Sequence, residues 1–180
     1  MSVKKNTPSE NGSFQSDLFW KKMPSPIGTL IVFANDEGIT EIRFPNSNSP
    51  NSKSPNNKSP DQRDTKHSNR IVDNAIDQLQ AYFDGKLKTF DLPLRPNGTE
   101  FQKTVWRQLQ QIGYGTTASY GDIAAAIVKP KASRAVGMAN SKNPIPIVVP
   151  CHRIIGKDGS LTGFAGGLDT KRWLLAHEQG

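Results

Sequence analysis

Cysteine is nearly absent from this chain: Cys151 is the one thiol in 180 residues. A lone thiol forms no internal disulfide and supplies no Cys-rich zinc cluster, so a reducing compartment is expected, cytoplasmic or, in a eukaryotic source, nuclear. Imidazoles are scarce too. His67, His152 and His177 show no metal-ligand spacing, so no metal site and no cofactor are expected. No stretch approaches the about 20 consecutive apolar residues that a membrane helix needs, which leaves no membrane partner to expect. The opening MSVKKNTPSENGSFQSD lacks the apolar core and small-residue cleavage site of a secretory signal and reads as a flexible tail over residues 1–17.

Acidic side chains are the scarcer sign, 16 Asp/Glu against 23 Lys/Arg, for a net charge of +7. The excess is uneven: residues 1–95 hold 13 basic and 11 acidic side chains, residues 96–180 hold 10 and 5. A polyanionic partner suits the C-terminal half, although a well-solvated basic surface accounts for the charge equally well. Residues 46–69, NSNSPNSKSPNNKSPDQRDTKHSN, almost lack apolar side chains. Such a segment buries too little surface to offset its ordering entropy, so a disordered insert is expected there.

What remains divides into two units. In residues 18–98, LFWKKM, GTLIVFA and GITEIRF are short β-branched and aromatic runs separated by turn residues, the pattern of an antiparallel meander. Ile71, Ala75, Leu79, Tyr82 and Phe83 follow at helical spacing and stop before Asp84-Gly85, which predicts a helix over 70–83, and TFDLPL reads as one more strand. In residues 99–180, Thr99 with Gln102 and Ser119 with Asp122 are capping-box pairs that open helices. The first carries the apolar stripe Phe101, Val105, Trp106, Leu109 and Ile112; the second, YGDIAAAI, is followed across VKP by KASRAVGMAN. Two short helices around a tight connector make a helix-turn-helix or an ordinary packed pair. Ala132, Ser133, Ala135, Gly137 and Ala139 leave the second of them few long side chains with which to read bases, and Arg134 is the exception. The fold class is therefore α+β.

The thiol sits in IVVPCHRII. IVV reads as a strand, and Pro150 cannot donate to a ladder, so the chain leaves regular pairing at Cys151. An imidazole and a guanidinium follow directly, and both favour the thiolate. A thiolate attacks carbon far better than a thiol. A histidine acting as base needs an orienting acceptor, for which Glu178 in LLAHEQ is a candidate. On spacing alone His177 is as good a base as His152.

The run YGTTASYGDIAAAIVKPKASRAVGMANSKNPIPIVVPCHRIIGKDGSLTGFAGGLDTKRWLLAHE closely resembles the catalytic domain of the O6-alkylguanine-DNA alkyltransferases, the methylated-DNA protein-cysteine methyltransferases. PCHR, SYGDIA, SRAVG, NP, GFAGG and WLLAHE carry the likeness, which extends more weakly over residues 18–45 and 70–95. The resemblance implies an RNase H-like N-terminal domain, with a small antiparallel sheet and a helix, and a winged-helix-like, mostly helical C-terminal domain. It implies a monomer without an obligate protein partner that binds double-stranded DNA and flips out O6-alkylguanine, or O4-alkylthymine. The alkyl group is then transferred irreversibly to Cys151. By the same matching His152 is the base, acting through water, Glu178 orients it, Tyr120 donates its phenol to the purine, and Asn143 holds the active-site turn. Arg134 fills the vacated space in the stack, with Ser133, Ala135, Gly137 and Tyr120 against the DNA. Pro146, Cys151, Ile154, Phe164 and Ala165 line the base pocket. Some family members hold zinc in the N-terminal domain; a chain with one cysteine lacks those ligands. The competing readings are a non-catalytic, lesion-sensing helix-turn-helix protein, in which Cys151 is inert, and a Cys-His hydrolase.

Overall fold

Short runs rich in β-branched and aromatic side chains set three strands, β1 (Phe19–Met23), β2 (Leu30–Ala34) and β3 (Ile39–Arg43), in an antiparallel sheet ordered β1-β2-β3. The architecture comes from a computed structural model that describes residues 17–44 and 68–180; the expected tail up to residue 16 and the expected insert over 46–67 lie outside the described residues. Register runs Trp20 to Phe33 and Val32 to Ile42, with an irregularity between Phe33 and Ala34. Helix α1 (Arg70–Phe83) packs on this sheet through Val72, Ala75, Leu79, Tyr82 and Phe83. Its N-cap is Asn69, whose side chain accepts from the Val72 N–H, so the last residues of the 46–69 stretch belong to the helix start.

TFDLPL does not form the expected strand. Leu94 alone pairs, in a single parallel bridge with Ile39. The cause is local: the Gln78 side chain on α1 accepts from Asp91 N at 2.8 Å and donates to Asp91 O at 2.8 Å. A side-chain amide has thus taken the place of a neighbouring strand, and Pro93 has no N–H to extend the ladder.

Both predicted capping boxes form. Thr99 opens α2 (Glu100–Leu109) with Gln102, and Ser119 opens α3 (Tyr120–Ala126) with Asp122. Helix α4 (Ser133–Ser141) packs against both, and Trp106 of α2 donates its indole N–H to Ala139 O at 2.9 Å. A short parallel pair, β4 (Ala118–Ser119) and β5 (Ile154–Ile155), ties the α3 start to the segment after the cysteine. Helix α5 (Leu168–Gln179) closes the chain. A single apolar cluster runs from Phe19 and Leu79 through Trp106 and Val136 to Leu174, so the sheet layer and the helical part share one core. The fold is α+β, with a small antiparallel sheet first and a mostly helical part after it.

Replacing Thr99 with Ala removes the acceptor for Gln102 N and leaves a helix-end donor open. The expected cost is about 1 kcal/mol in the folding free energy of the full chain, read from urea denaturation of the two proteins.

Candidate active site

IVV is not a strand either. Three prolines, 144, 146 and 150, strip the segment of donors, and Asn143 takes over the pairing: its side chain donates to Val149 O at 2.8 Å and accepts from Ile145 N at 3.0 Å. Between these contacts the chain makes a tight turn, with Ile147 at φ +74°, a conformation that β-branched residues rarely adopt. Asn143 is buried, so both of its polar ends need these partners.

The turn delivers the chain into one 3-10 turn, Cys151–Arg153, all of it buried. A strand would have sent Cys151 and His152 to opposite faces. The 3-10 turn instead carries His152 and Arg153 inward onto Glu178 of α5, which is also buried. His152 Nε2 lies 2.8 Å from Glu178 Oε1; Arg153 donates from Nε to Oε2 at 2.8 Å and from Nη2 to Oε1 at 2.9 Å. Oε1 also accepts from the Tyr82 hydroxyl at 2.8 Å, and Oε2 from the Gly115 N–H at 3.1 Å. Gly115 is at φ +71°, and a Cβ there would stand 2.8 Å from Glu178 O, so only glycine brings its N–H to this place.

Burial by itself would raise the Glu178 pKa, but the hydrogen bonds and charges of His152 and Arg153 outweigh it and hold the carboxyl well below the usual range. An ionised carboxylate only accepts, so His152 carries its proton on Nε2. His152 Nδ1 is then a bare lone pair, buried and without a partner among the described residues. Burial, opposed by Glu178, lowers the imidazole pKa, so the ring is neutral at neutral pH.

Cys151 differs from the sequence expectation. Its neighbours were expected to favour the thiolate, yet the Arg153 guanidinium is turned away to Glu178, the imidazole is neutral, and only 4 % of the residue is exposed. Burial pushes the thiol up to about 11, against the opposing influence of Asn143 and Lys171, so the resting group is S–H. Sequence reasoning missed Lys171. It is fully buried, and its ammonium donates to Ile154 O at 2.5 Å and to Thr162 O at 2.8 Å. Its signal was periodicity: Lys171, Leu174 and Glu178 fall at i, i+3 and i+7 on the buried face of α5.

The Tyr120 hydroxyl lies 2.7 Å from Thr162 Oγ1, with its ring against Gly137, where a Cβ would stand 3.6 Å from it. Phe164 is half-buried and sets its ring edge-on to His152, with centroids 6.4 Å apart. Pro146 and Ile154 are buried, and Ala165 is exposed. Arg134 and Ala135 are exposed on α4 beside half-buried Ser133 and Gly137; Arg134 has no hydrogen-bond or ion-pair partner among the described residues. The described residues thus gather Cys151, His152, Asn143 and Glu178 in the interior and leave Arg134 on the surface. His177 is not in this group: its Nε2 meets Tyr82 O at 2.8 Å, and its ring stacks on Trp173 at 4.9 Å. Among the described residues no helix is long and apolar enough to cross a membrane.

Comparison with known proteins defines the class. Residues 100–180 match the DNA binding domain, and residues 18–96 the ribonuclease-like domain, of 6-O-methylguanine DNA methyltransferase. This chain belongs to that family. It is 47% identical over 168 residues to the methylated-DNA--protein-cysteine methyltransferase of Methanosarcina mazei, covering 90% of this chain and 98% of the relative. It is 41% identical over 162 residues to the constitutive methyltransferase of that name from Bacillus subtilis, covering 89% and 95%. The crystal structure of Mycobacterium tuberculosis OGT in complex with DNA superposes with a TM-score of 0.77 at 42% identity, over 89% of this chain and 92% of that one.

Both His152 and Glu178 bind a proton less readily folded than unfolded. Their stabilisation is therefore complete above the ordinary values of 6.5 and 4.5 and is lost progressively as pH falls below each of them toward the lower folded value. Melting temperature is expected to fall through that window. Glu178→Gln should flatten the part below 4.5 and, by leaving Arg153 without its counter-charge, destabilise the neutral protein by about 3–5 kcal/mol, measured by calorimetry and chemical denaturation.

Proposed function

We propose that this chain repairs alkylated DNA by moving the alkyl group from O6 of a flipped-out guanine, and from O4 of alkylthymine, onto Cys151 Sγ, once per molecule. The observation that carries the reading is that a buried thiol is followed directly in the chain by a neutral His152, whose Nε2–H is committed to Glu178 and whose Nδ1 lone pair is unpartnered among the described residues. A thiol held up to about 11 needs a base to become nucleophilic at neutral pH. In this reading a water bridges Sγ to Nδ1 and passes the proton to the imidazole, and the imidazolium is stabilised by Glu178. The new S–C bond forms as the C–O6 bond breaks, and the electron pair leaves on the purine. Tyr120, partnered at rest with Thr162, donates its phenolic proton to the departing base. The product is a thioether, which water does not readily cleave.

Base recognition falls to the segment around the thiol. The Cys151 and Ile154 carbonyls accept from the exocyclic amine of guanine. Each already accepts one bond, from Ile154 N and from Lys171 respectively, and keeps its second lone pair for the ligand. Phe164 and Pro146 wall the base, and the Ala165 backbone N–H reaches O6. Because a stacked base cannot present its alkyl carbon to a protein side chain, the guanine is everted. The exposed Arg134 takes its place, and small Ser133, Ala135 and Gly137 let α4 approach the minor groove. Residues 99–180 carry the chemistry and the DNA contact, residues 18–98 support them, and the protein acts as a monomer.

Incubation with duplex DNA holding O6-methylguanine is expected to add one methyl group per chain, at Cys151, by intact-mass and peptide analysis. Cys151→Ala should abolish the gain and keep DNA binding; sustained turnover of excess substrate, or repair by the alanine variant, would refute the reading in favour of a hydrolase or a lesion sensor. Arg134→Ala is expected to slow transfer from duplex DNA far more than transfer from the free alkylated base, compared as single-turnover rates.

A further inference from the structure

Tyr82 stands at the end of α1, in the sheet-bearing half of the chain and 96 positions from Glu178. From this geometry we infer that Tyr82 is a positioning residue of the proton relay, holding Glu178 and through it His152, so that the N-terminal half contributes a working side chain to the active site. The inference rests on the reading of His152 as the base.

Two contacts carry it. The Tyr82 hydroxyl donates to Glu178 Oε1 at 2.8 Å, the same oxygen that holds His152 Nε2, while the Tyr82 carbonyl accepts from His177 Nε2 at 2.8 Å. One residue thereby grips two successive positions of α5. The ring is fully buried among Phe83, Phe90, Tyr114 and His177, at centroid distances of 5.3, 5.4, 6.1 and 5.3 Å. Phenylalanine would fill that space as well. What the hydroxyl adds is one donor aimed at Oε1, and a buried hydroxyl is tolerated only with such a partner. Burial, and then the Glu178 charge, raise the phenol far above its ordinary pKa, so it stays a donor throughout the working range.

The consequence for His152 follows from shared charge. Oε1 divides its negative charge among Tyr82, His152 Nε2 and Arg153 Nη2. Without the phenol a larger share falls on the imidazole, which raises its proton affinity and loosens the orientation of Nδ1. The charged and titratable groups that face this cluster are Glu178, His177 and Lys171 from α5, Cys151, His152 and Arg153 from the 3-10 turn, and Tyr114 with Lys88 over its ring. None of them replaces a neutral donor at Oε1.

The test uses the full chain, with Tyr82→Phe against wild type and Phe83→Leu as a packing control. Phe83 lies against Tyr82 and Trp173 but touches no relay atom through a hydrogen bond. Single-turnover methyl transfer from O6-methylguanine duplex is followed against pH, and the His152 ring is titrated by NMR. Tyr82→Phe is expected to slow transfer roughly tenfold at neutral pH, the scale of losing an orienting partner. It should leave DNA affinity unchanged and move both the acid limb of the rate and the His152 titration to higher pH. Phe83→Leu is expected to lower the melting temperature and move neither. If the acid limb and the titration stay at their wild-type positions in Tyr82→Phe, the inference is overturned whatever the melting temperature does. If wild type transfers no methyl group, the alkyl-transfer reading fails, and the imidazole titration still decides the role of Tyr82.

Discussion

Burying a carboxylate is among the costlier things a small protein does, and here one carboxylate organises the whole site. Glu178 is withdrawn from water and held as an anion by five hydrogen bonds from Tyr82, Gly115, His152 and Arg153. Each of these residues comes from a different place in the chain or turns in a particular way to reach it. Desolvation of the ion is offset only when every donor is present, so the geometry of α1, of the Gly115 turn and of the 3-10 turn is coupled through one side chain. The Glu178 charge also decides which imidazole nitrogen carries the proton, and hence that the open lone pair of His152 is Nδ1.

The thiol next to this cluster is not poised as an anion. The guanidinium that looks close in sequence is spent elsewhere, Arg153 on Glu178 and on Ile112 O, and the buried Lys171 ammonium donates to Ile154 O and Thr162 O. A buried, protonated sulfur is chemically quiet toward bulk solvent. Its placement comes from the proline-rich turn, where the Asn143 amide supplies hydrogen bonds that three prolines withhold.

Local structure was legible in the sequence wherever one side chain acts on its own neighbourhood. The Thr99–Gln102 and Ser119–Asp122 boxes, the apolar stripe of α1 and the three-strand meander all appear in the fold as their spacing suggests. Errors came where a distant or side-chain partner replaced the backbone. TFDLPL has strand-like composition but is held by Gln78, and IVV has the strongest β signature in the C-terminal half but is bent by Asn143. In the site, PCHR with its companion motifs carried the family resemblance, and that resemblance named the residues to compare. Neither could show that Cys151–Arg153 is a helical turn, which is what puts His152 and Arg153 on one carboxylate. Lys171 was readable in principle from its position on the buried face of α5, but a lysine in such a register looks like an exposed flank until its carbonyl partners are known.

The clasp between the end of α1 and the end of α5 also orders events during folding. Its contacts span 96 and 95 residues, and the Gly115 contact spans 63, whereas the helices themselves close over four. Loop closure over such separations is entropically slow and gains nothing until both ends are structured. That cost favours strands and helices forming before the Glu178 contacts, and a chain still missing its final helix holds the thiol and the imidazole but not the carboxylate that binds the imidazole Nε2.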